Sequence, residues 1–243
     1  MVALDEDGSG AFGVLHGIDE LSGYLAGAEI ALIDVPIGLR GRDPDERLCD
    51  RMARAVLPRA RKSSVFPAPS RCALDCDTYR RASEMNRQCT GRGLSRQSFG
   101  ILPKIREVDR YLRETPHRDK LREMHPEVCF WSLNDRTAMV FNKKTPEGFE
   151  ERLAVLERCL PNARRIVGSA LERHRSGQVA RDDIVDALVG AVTAAHPGPL
   201  LRMPESPERD DEGLPMEIVF AGGHPSSGAD VREPVPVPGG PGD

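Results

Sequence analysis

The sequence contains no apolar run approaching the roughly 20 residues that a helix needs to cross a bilayer. Charged residues make up 30% of its 243 residues, and the formal net charge is -4 at pH 7. That balance is not typical of a protein that coats nucleic acid, because such proteins carry a strong excess of positive charge. We therefore expect a soluble, cytoplasmic protein with no membrane partner.

The 6 cysteines include no Cys-x-x-Cys pair, and no signal peptide precedes them. Both observations predict reduced thiols, as is usual in the cytoplasm. The spacing of Cys72, Cys76 and Cys89 lacks the matched second pair that marks a typical zinc module, so we do not expect a zinc site there.

Two common enzyme signatures are also absent from the sequence. Gly91 and Gly93 do not lie between a strand and the start of a helix in a βαβ unit, which argues against a dinucleotide-binding loop. Ser63 and Ser64 lack the strand-to-helix elbow that exposes a catalytic serine, and no triad can be assigned to them. The sequence therefore disfavours a dinucleotide-dependent enzyme and a serine hydrolase.

What the sequence does contain is an alternation of short strand and helix patterns. It predicts a β-hairpin over residues 2–15, a helix over 18–25, a strand over 29–35 and, over 121–133, a strand or a strand leading into a helix. Further helices are predicted over residues 45–56, 78–89, 105–114, 148–159, 163–175 and 182–195. This order predicts an α/β domain over residues 1–196.

Residues 197–243 differ in composition from the rest of the chain. They hold half of the 20 prolines, and their three arginines face nine acids, a charge of -6 that leaves +2 for residues 1–196. A segment with so little apolar surface cannot bury enough of it to offset the conformational entropy that is lost on folding. We expect a largely disordered acidic tail whose one structured piece is a short strand over residues 214–220.

Basic residues are concentrated between residues 80 and 106, where seven of them accompany the single acid Glu84. Such a segment predicts a positive surface that can contact phosphates. The alternative is a solvated basic face with no ligand, which is frequent.

Asp34 ends an apolar run that begins at Ile30 and is followed by Pro36 and Gly38. Residues of this bulky, apolar type predict a strand buried on both faces. An acid at the end of such a strand points into the crevice where open α/β sheets bind ligands, which suits a metal ligand or a catalytic carboxylate. The alternative is a turn-forming Asp before proline.

Two carboxylates lie three residues apart on the last predicted helix. Asp183 and Asp186 are neighbours on the helix surface, so they can share a divalent cation. Asp182 and Asp183 also suit the positive end of a helix, and this structural role competes with metal binding. Asp186 lies beyond the first turn and has no such explanation.

Six motifs occur in a single order along the chain: IDVPIGL (33–39), SSVFPAP (63–69), GLSRQ (93–97), PKIREVD (103–109), HPEV (125–128) and DIVDAL (183–188). Together they resemble the domain of unknown function 429 family, a group of predicted RNase H-like nucleases, over roughly residues 3–220. Six ordered motifs are more specific than any single one. The DIVDAL helix is also similar to the last helix of RuvC-type Holliday-junction resolvases.

The resemblance implies an RNase H-like mixed central sheet flanked by helices, and a nuclease that hydrolyses phosphodiester bonds with Mg²⁺ or Mn²⁺. The implied catalytic and metal-binding residues are Asp34, Glu127, Asp183 and Asp186, and the implied phosphate-binding residues are Lys62, Arg92, Arg96 and Lys104. Two metal ions about 4 Å apart, held by carboxylates, activate water and stabilise a leaving oxygen. His125 is a candidate proton carrier.

The resemblance also implies a first strand, bearing an acid, ahead of the segment that matches Val2 to Leu4, and this sequence has no counterpart for it. Asp5 and Asp7 fall in the following hairpin turn and do not replace that acid. Either the natural protein starts earlier or the strand is absent, in which case we expect impaired metal binding. The alternatives to a nuclease are therefore a catalytically impaired nucleic-acid-binding or regulatory protein of the same fold, and a hydrolase of a small phosphorylated molecule.

Overall fold

The computed structural model describes residues 1–5, 8–174 and 178–222, which form a mixed α/β structure. Its strands are β1 (Val2–Leu4), β2 (Gly10–Phe12), β3 (Ala31–Ile33), β4 (Leu121–Glu123), β5 (Leu200–Met203) and β6 (Ile218–Ala221). Its α-helices are α1 (Ser22–Gly27), α2 (Leu48–Val56), α3 (Tyr79–Thr90), α4 (Arg96–Glu114), α5 (Pro126–Leu133), α6 (Pro146–Cys159), α7 (Ala163–Arg173) and α8 (Arg181–Ala194). None of these described helices is long and apolar enough to span a membrane.

Capping residues set several helix boundaries. Helices α3, α4 and α6 each follow a hydroxyl side chain that accepts a backbone N–H of the first turn; these residues are Thr78, Ser95 and Thr145. Gly91 ends α3 with φ at 75°, a left-handed conformation that favours glycine. Helix α4 begins well before the predicted start at residue 105, because Ser95 caps it and the helix continues through Pro103.

The segment over residues 121–133 is a strand followed by a helix, which resolves the alternative that the sequence left open. Strand β4 ends at Glu123, and Pro126 occupies the first turn of α5. Proline suits that position because the first N–H groups of a helix have no intrahelical acceptor.

The strands pair two by two. Strand β1 is antiparallel to β2, β3 is parallel to β4, and β5 is antiparallel to β6. Within the described residues no strand joins these pairs, so the single mixed central sheet expected from the sequence is corrected to three two-stranded sheets. Strands β1 and β3 each pair along one edge only, and both line the same cleft instead of pairing with each other.

Helix α8 lies at the centre of the largest apolar core. Its residues Leu188 and Val189 are fully buried, and they share that core with residues of α5, α6 and α7. A second core lies between α1, α4 and β4 and includes Leu25 and Leu112. Strand β3 contributes to both, because Leu32 packs on the first core and Ile33 on the second. This alternation follows from the period of two along a strand.

Residues 200–221, which the sequence assigned to a tail, contribute strands and buried side chains to the same body. Strand β6 overlaps the short strand expected over residues 214–220 but begins only at Ile218, and all four of its residues are buried. Met203, Met216, Ile218 and Phe220 pack against α2 and the middle of the chain. The rest of the predicted tail, residues 223–243, lies outside the described residues.

The cysteines differ from the prediction that all six are reduced. Cys72 and Cys89 form a disulfide that links the segment before α3 to the end of that helix. Cys49, Cys76 and Cys129 are free and buried, and Cys159 is free and half-buried. Sequence spacing did not predict the pair, because only the fold of residues 71–90 brings the two thiols together.

Candidate functional site

A cleft of about 1380 Å³ is lined by β1, by β3 and by one side of α8. Three of the four acids predicted as metal ligands line it, namely Asp34, Asp183 and Asp186. They come from distant parts of the sequence, and the packing of β3 against α8 brings them to one cleft. On an isolated helix, Asp183 and Asp186 would face water, because no strand would place a third acid near them.

Asp34 immediately follows β3, as the sequence predicts. The Met124 N–H donates to the Ile33 carbonyl at 2.9 Å, which is the last bond between β3 and β4. The chain then turns at Gly38, where φ is 74° and an added Cβ would lie 2.8 Å from Met216 Cγ. Only glycine fits this close approach without strain, and the turn leaves Asp34 at the end of the strand.

The Asp34 carboxylate is exposed to the cleft, but protein surrounds it on its other sides. Removal from bulk water raises its pKa above the usual value; His125 and Lys143 oppose this rise, and the nearby negative charge of Asp183 adds to it. A carboxylate that faces a cleft can contact solvent and still be poorly hydrated, because protein atoms occupy most of the space around it. The pKa of Asp34 is therefore raised mainly because the carboxylate is poorly hydrated.

Asp186 lies on the side of α8 that is turned toward the protein, and it is 9% exposed. Burial raises its pKa to about 6, against the attraction of Lys143; repulsion from Asp34 and Glu127 contributes to the rise. Asp183, three residues earlier, is exposed. Helix α8 thus presents one buried and one exposed carboxylate to the cleft.

Lys143 is the cation closest to this acidic group. Its ammonium donates to Asp186 at 2.6 Å and lies 3.5 Å from Asp182. The attraction of Asp186 and Asp182 raises the pKa of Lys143 despite its partial burial. Asp182 does not cap α8, since the N-cap is Ala180; it pairs with this lysine instead.

A tight turn before α6 positions Lys143. Thr145 Oγ1 accepts the Gly148 N–H at 3.1 Å, and the Lys144 N–H donates to Asn142 Oδ1 at 3.0 Å. An added Cβ on Gly148 would lie 1.9 Å from the Asn142 carbonyl oxygen, so this turn requires glycine. The turn therefore fixes the backbone position of Lys143.

Glu127 lies behind the cleft rather than in its lining. It is 7% exposed on the first turn of α5. The guanidinium of Arg152, which is 1% exposed, donates to Glu127 Oε1 at 2.5 Å. Glu127 Oε2 is buried and has no hydrogen-bond partner among the described residues. Glu127 contributes negative charge to Asp186 and retains one oxygen that could accept a further bond.

The four predicted phosphate-binding residues do not converge on the cleft. Lys104 lines it and pairs with Glu107 at 3.2 Å, whereas Lys62 is exposed elsewhere. Arg92 donates to Glu46 at 2.5 Å and lines a separate cavity of about 120 Å³. Arg96 stacks over the ring of Tyr79 at 3.7 Å. These arginines are therefore occupied by intramolecular partners.

The donor chemistry of the cleft fits a hard divalent cation, but the described side chains are not arranged as a finished metal site. Carboxylate oxygens are preferred ligands of Mg²⁺ and Mn²⁺, and burial raises the pKa values of Asp34 and Asp186 in spite of the attraction of Lys143. No group of three or more His, Cys, Asp or Glu side chains among the described residues has a ligating arrangement. The Lys143 ammonium neutralises Asp186 in this arrangement.

Sequence reasoning missed the two cations of this site. The sequence singles out neither Lys143 nor Arg152. Their signal in the sequence is indirect: buried acids require nearby cations, but the chain has 34 lysines and arginines and nothing local identifies the partners. Only the packing of α6 against α5 and α8 selects these two.

The fold and the site define an α/β protein with a carboxylate-lined cleft. The model of the family described as "Protein of unknown function (DUF429)" matches residues 1–209, and the chain belongs to this family. The resemblance carried by the six motifs is thereby confirmed at the level of the family. Comparison with the curated proteins and with the solved structures gave no match.

Proposed function

We propose that this protein is a divalent-metal-dependent hydrolase that cleaves phosphodiester bonds of nucleic acid in the cleft between β1 and β3. The observation that carries the proposal is the convergence of Asp34, Asp183 and Asp186 on one cleft, with pKa values of Asp34 and Asp186 raised by burial and by neighbouring acids. A cluster that is short of positive charge favours a bound cation.

In this proposal Asp34, Asp183 and Asp186 hold Mg²⁺ or Mn²⁺. The bound metal would act as a Lewis acid that polarises the phosphoryl oxygen and stabilises the leaving group. Glu127 would contribute negative charge from behind the site, and its pairing with Arg152 keeps it in place. Lys143 pairs with Asp186, and its flexible side chain could instead contact a phosphate oxygen of the substrate.

We further propose that the domain has an RNase H-like architecture. The supporting features are the antiparallel β1–β2 hairpin, the parallel β3–β4 pair, and α8 packed against both β1 and β3. An acid at the end of β3 and acids on α8 suit a metal site in such an arrangement. Nucleic acid is the proposed substrate because Lys104 lines the cleft and the exposed arginines of α3, Arg80, Arg81 and Arg87, can contact a phosphate backbone.

A second candidate function is nucleic-acid binding without hydrolysis. It is favoured by the ion pairs of Lys143 with Asp186 and Asp182, which leave the described site without a ligating arrangement. In that case the lysine is a permanent structural cation, and the protein binds polynucleotide in a salt-sensitive manner without turnover.

The experiment that tests the proposal is cleavage of fluorescent single-stranded DNA, duplex DNA, four-way junction DNA and RNA with Mg²⁺ or Mn²⁺. We expect metal-stimulated cleavage of at least one substrate, and loss of cleavage in both Asp34→Asn and Asp186→Asn. Asp19→Asn removes an exposed acid outside the cleft and should retain full activity. Equal cleavage by all three variants would contradict the site assignment, and salt-sensitive binding without cleavage would favour the second candidate.

A further inference from the structure

Val140 and Phe141 are the two most exposed large apolar side chains among the described residues, and they are consecutive in the sequence. Val140 is 73% exposed and Phe141 is 50% exposed, in the segment that joins α5 to α6. Single apolar residues on a surface are common and need no function. Two adjacent ones form an apolar projection, and the buried Met139 before them anchors it to the core.

The main chain of both residues is held by side chains from other parts of the structure. The Val140 N–H donates to Glu151 Oε1 at 2.8 Å, and the Phe141 N–H donates to Glu151 Oε2 at 3.0 Å. The Val140 carbonyl accepts from Arg61 at 2.8 Å, and the Phe141 carbonyl accepts from Arg152 at 3.2 Å. Every main-chain polar group of the pair is therefore bonded, which restricts the backbone. A surface that is ordered in advance loses little conformational entropy on binding.

The same segment leads directly to the acidic site. Lys143, two residues after Phe141, donates to Asp186 at 2.6 Å, and Asp186 lines the cleft. Arg152, which holds the Phe141 carbonyl, also donates to Glu127 behind the cleft. The two cations of the site thus connect it to the backbone that presents Phe141, and the apolar projection lies at the edge of the site.

Cations flank the apolar projection. Lys62 follows Arg61, the residue that holds the Val140 carbonyl, and Lys144 lies three residues after Phe141. Both lysines are exposed, and neither has an ion-pair partner within the described part of the chain. An apolar projection with unpaired cations beside it suits a nucleic acid better than a second protein, because bases stack on aromatic rings while lysines contact phosphates.

We propose that Phe141 is a stacking surface for an unpaired base of the substrate, and that the site therefore acts on nucleic acid with unpaired bases. The inference rests on the proposed function, because it names the substrate class of the same site. In a continuous duplex both faces of each base are covered by neighbouring bases, so only an unpaired or displaced base can offer a face to Phe141. Lys62 and Lys144 would contact the adjacent phosphates.

The test measures binding of the full chain to fluorescein-labelled single-stranded DNA and RNA of about 12 nucleotides by anisotropy, a length within the range of single-strand binding sites. Ca²⁺ replaces Mg²⁺, and gel electrophoresis checks that the strands remain intact. Phe141→Ala should bind the preferred strand roughly 5- to 150-fold more weakly, which corresponds to the loss of one stacked base. Leu171→Ala, at a residue of α7 that is 38% exposed and does not line the cleft, is the control and should bind like the wild type.

Two further variants and two further ligands separate stacking from a general apolar contact. Phe141→Trp keeps an aromatic face and should retain the wild-type affinity or exceed it, whereas Phe141→Leu keeps an apolar side chain without a ring and should bind weakly. A strand of the same length made of abasic nucleotides keeps the phosphates and lacks the bases. The wild type and Phe141→Ala should bind this strand equally, because the contact that distinguishes them is already gone. They should also bind a blunt duplex equally.

Equal binding of the single strand by the wild type and Phe141→Ala would overturn the inference, and so would an equally large loss in Phe141→Ala with the abasic strand. Full affinity of Phe141→Leu would replace stacking by a contact that needs only apolar surface. A wild type that binds no nucleic acid would overturn the inference together with the nucleic-acid substrate.

Cleavage distinguishes failure of this inference from failure of the proposed function. Metal-dependent cleavage by the wild type, with binding that does not depend on Phe141, contradicts the stacking surface alone. Binding that depends on Phe141, with no cleavage in Mg²⁺ or Mn²⁺, supports the stacking surface and contradicts the hydrolase.

Discussion

Arg152 and Lys143 supply the positive charge that balances the acidic group, and they do so in different environments. Arg152 is 1% exposed and is bonded to the buried Glu127, whereas Lys143 is half-buried at the edge of the site. A buried charge that loses its partner is strongly destabilised, while a partly hydrated pair contributes less. Removal of each cation should therefore have a different consequence.

Arg152→Met should lower the free energy of unfolding by about 3–5 kcal/mol, because it leaves Glu127 buried without a counter-charge. Urea denaturation at pH 7 measures this change. Adding Glu127→Gln to the variant should recover much of the loss, since the neutral amide needs no cation. Arg164→Met, at an exposed arginine paired with Glu150 and Glu157, is the control and should be nearly neutral. Equal effects of the two arginine substitutions would contradict this account.

The raised pKa of Asp186 predicts a pH dependence of stability. Its folded pKa of about 6 exceeds the usual value of 3.8, so the folded state binds this proton more tightly than the unfolded state. The contribution of this group to stability is greatest below pH 4, decreases as the pH rises from 4 to 6 and is constant above that. Relative to Asp186→Asn, the wild type should lose roughly 3 kcal/mol across this window, measured by denaturation at each pH. Parallel curves would show that the pKa of Asp186 is not raised.

At the scale of elements, the turn over residues 142–148 determines where Lys143 can reach. Gly148→Ala places a Cβ where the Asn142 carbonyl oxygen lies, so the turn must shift away from α6. We expect a loss of about 1–3 kcal/mol of stability and a weaker Lys143–Asp186 pair, which raises the pKa of Asp186 further. Carboxyl-carbon NMR titration of Asp186 measures the second effect.

Gly100→Ala is the matched control for that substitution. Gly100 is an exposed residue inside α4, and an added Cβ would meet no atom within 4 Å. Alanine should stabilise the helix there by up to about 1 kcal/mol and leave the Asp186 titration unchanged. The positioning role of the turn would be contradicted if the Asp186 titration shifted in Gly100→Ala and did not shift in Gly148→Ala.

Elements with a clear period or cap could be predicted from the sequence, and pairings between distant segments could not. The helix with Asp183 and Asp186 and the strand ending at Asp34 lie where the sequence places them. The Cys72–Cys89 disulfide and the division into three strand pairs depend on long-range geometry that spacing does not encode. The sequence predicts α4 only from residue 105, where the apolar spacing of Ile105, Val108 and Leu112 begins, whereas the helix starts at Arg96.

At the scale of the whole molecule, the β5–β6 hairpin closes the core rather than extending from it. Ile218 is 1% exposed and packs with Met203, Met216 and Phe220. The sequence predicts a short strand over residues 214–220, but composition averaged over residues 197–243 concealed β5 and the burial of both strands. The site itself was more predictable, since three of its four predicted acids line the cleft, but its cations were not.

Ile218→Ala should therefore lower the free energy of unfolding of the whole domain by about 2–5 kcal/mol. Val140→Ala, at a side chain that is 73% exposed, should change it by less than about 0.5 kcal/mol. Denaturation followed by far-UV circular dichroism and by the fluorescence of Trp131 should give one transition for each variant, because Trp131 packs against Phe220. A near-neutral Ile218→Ala would indicate that the hairpin is not part of the cooperative core.

The central claim is that Asp34, Asp183 and Asp186 together bind a divalent cation, and calorimetric titration with Mn²⁺ at pH 7.5 tests it most directly. We predict one binding event in the wild type, at least about tenfold weaker affinity in Asp34→Asn and in Asp186→Asn, and unchanged affinity in Asp19→Asn. Lys143→Met should bind Mn²⁺ more tightly than Lys144→Met, because it removes the ammonium that neutralises Asp186. Mn²⁺ binding that is the same in all of these variants, or absent from the wild type, would contradict the account.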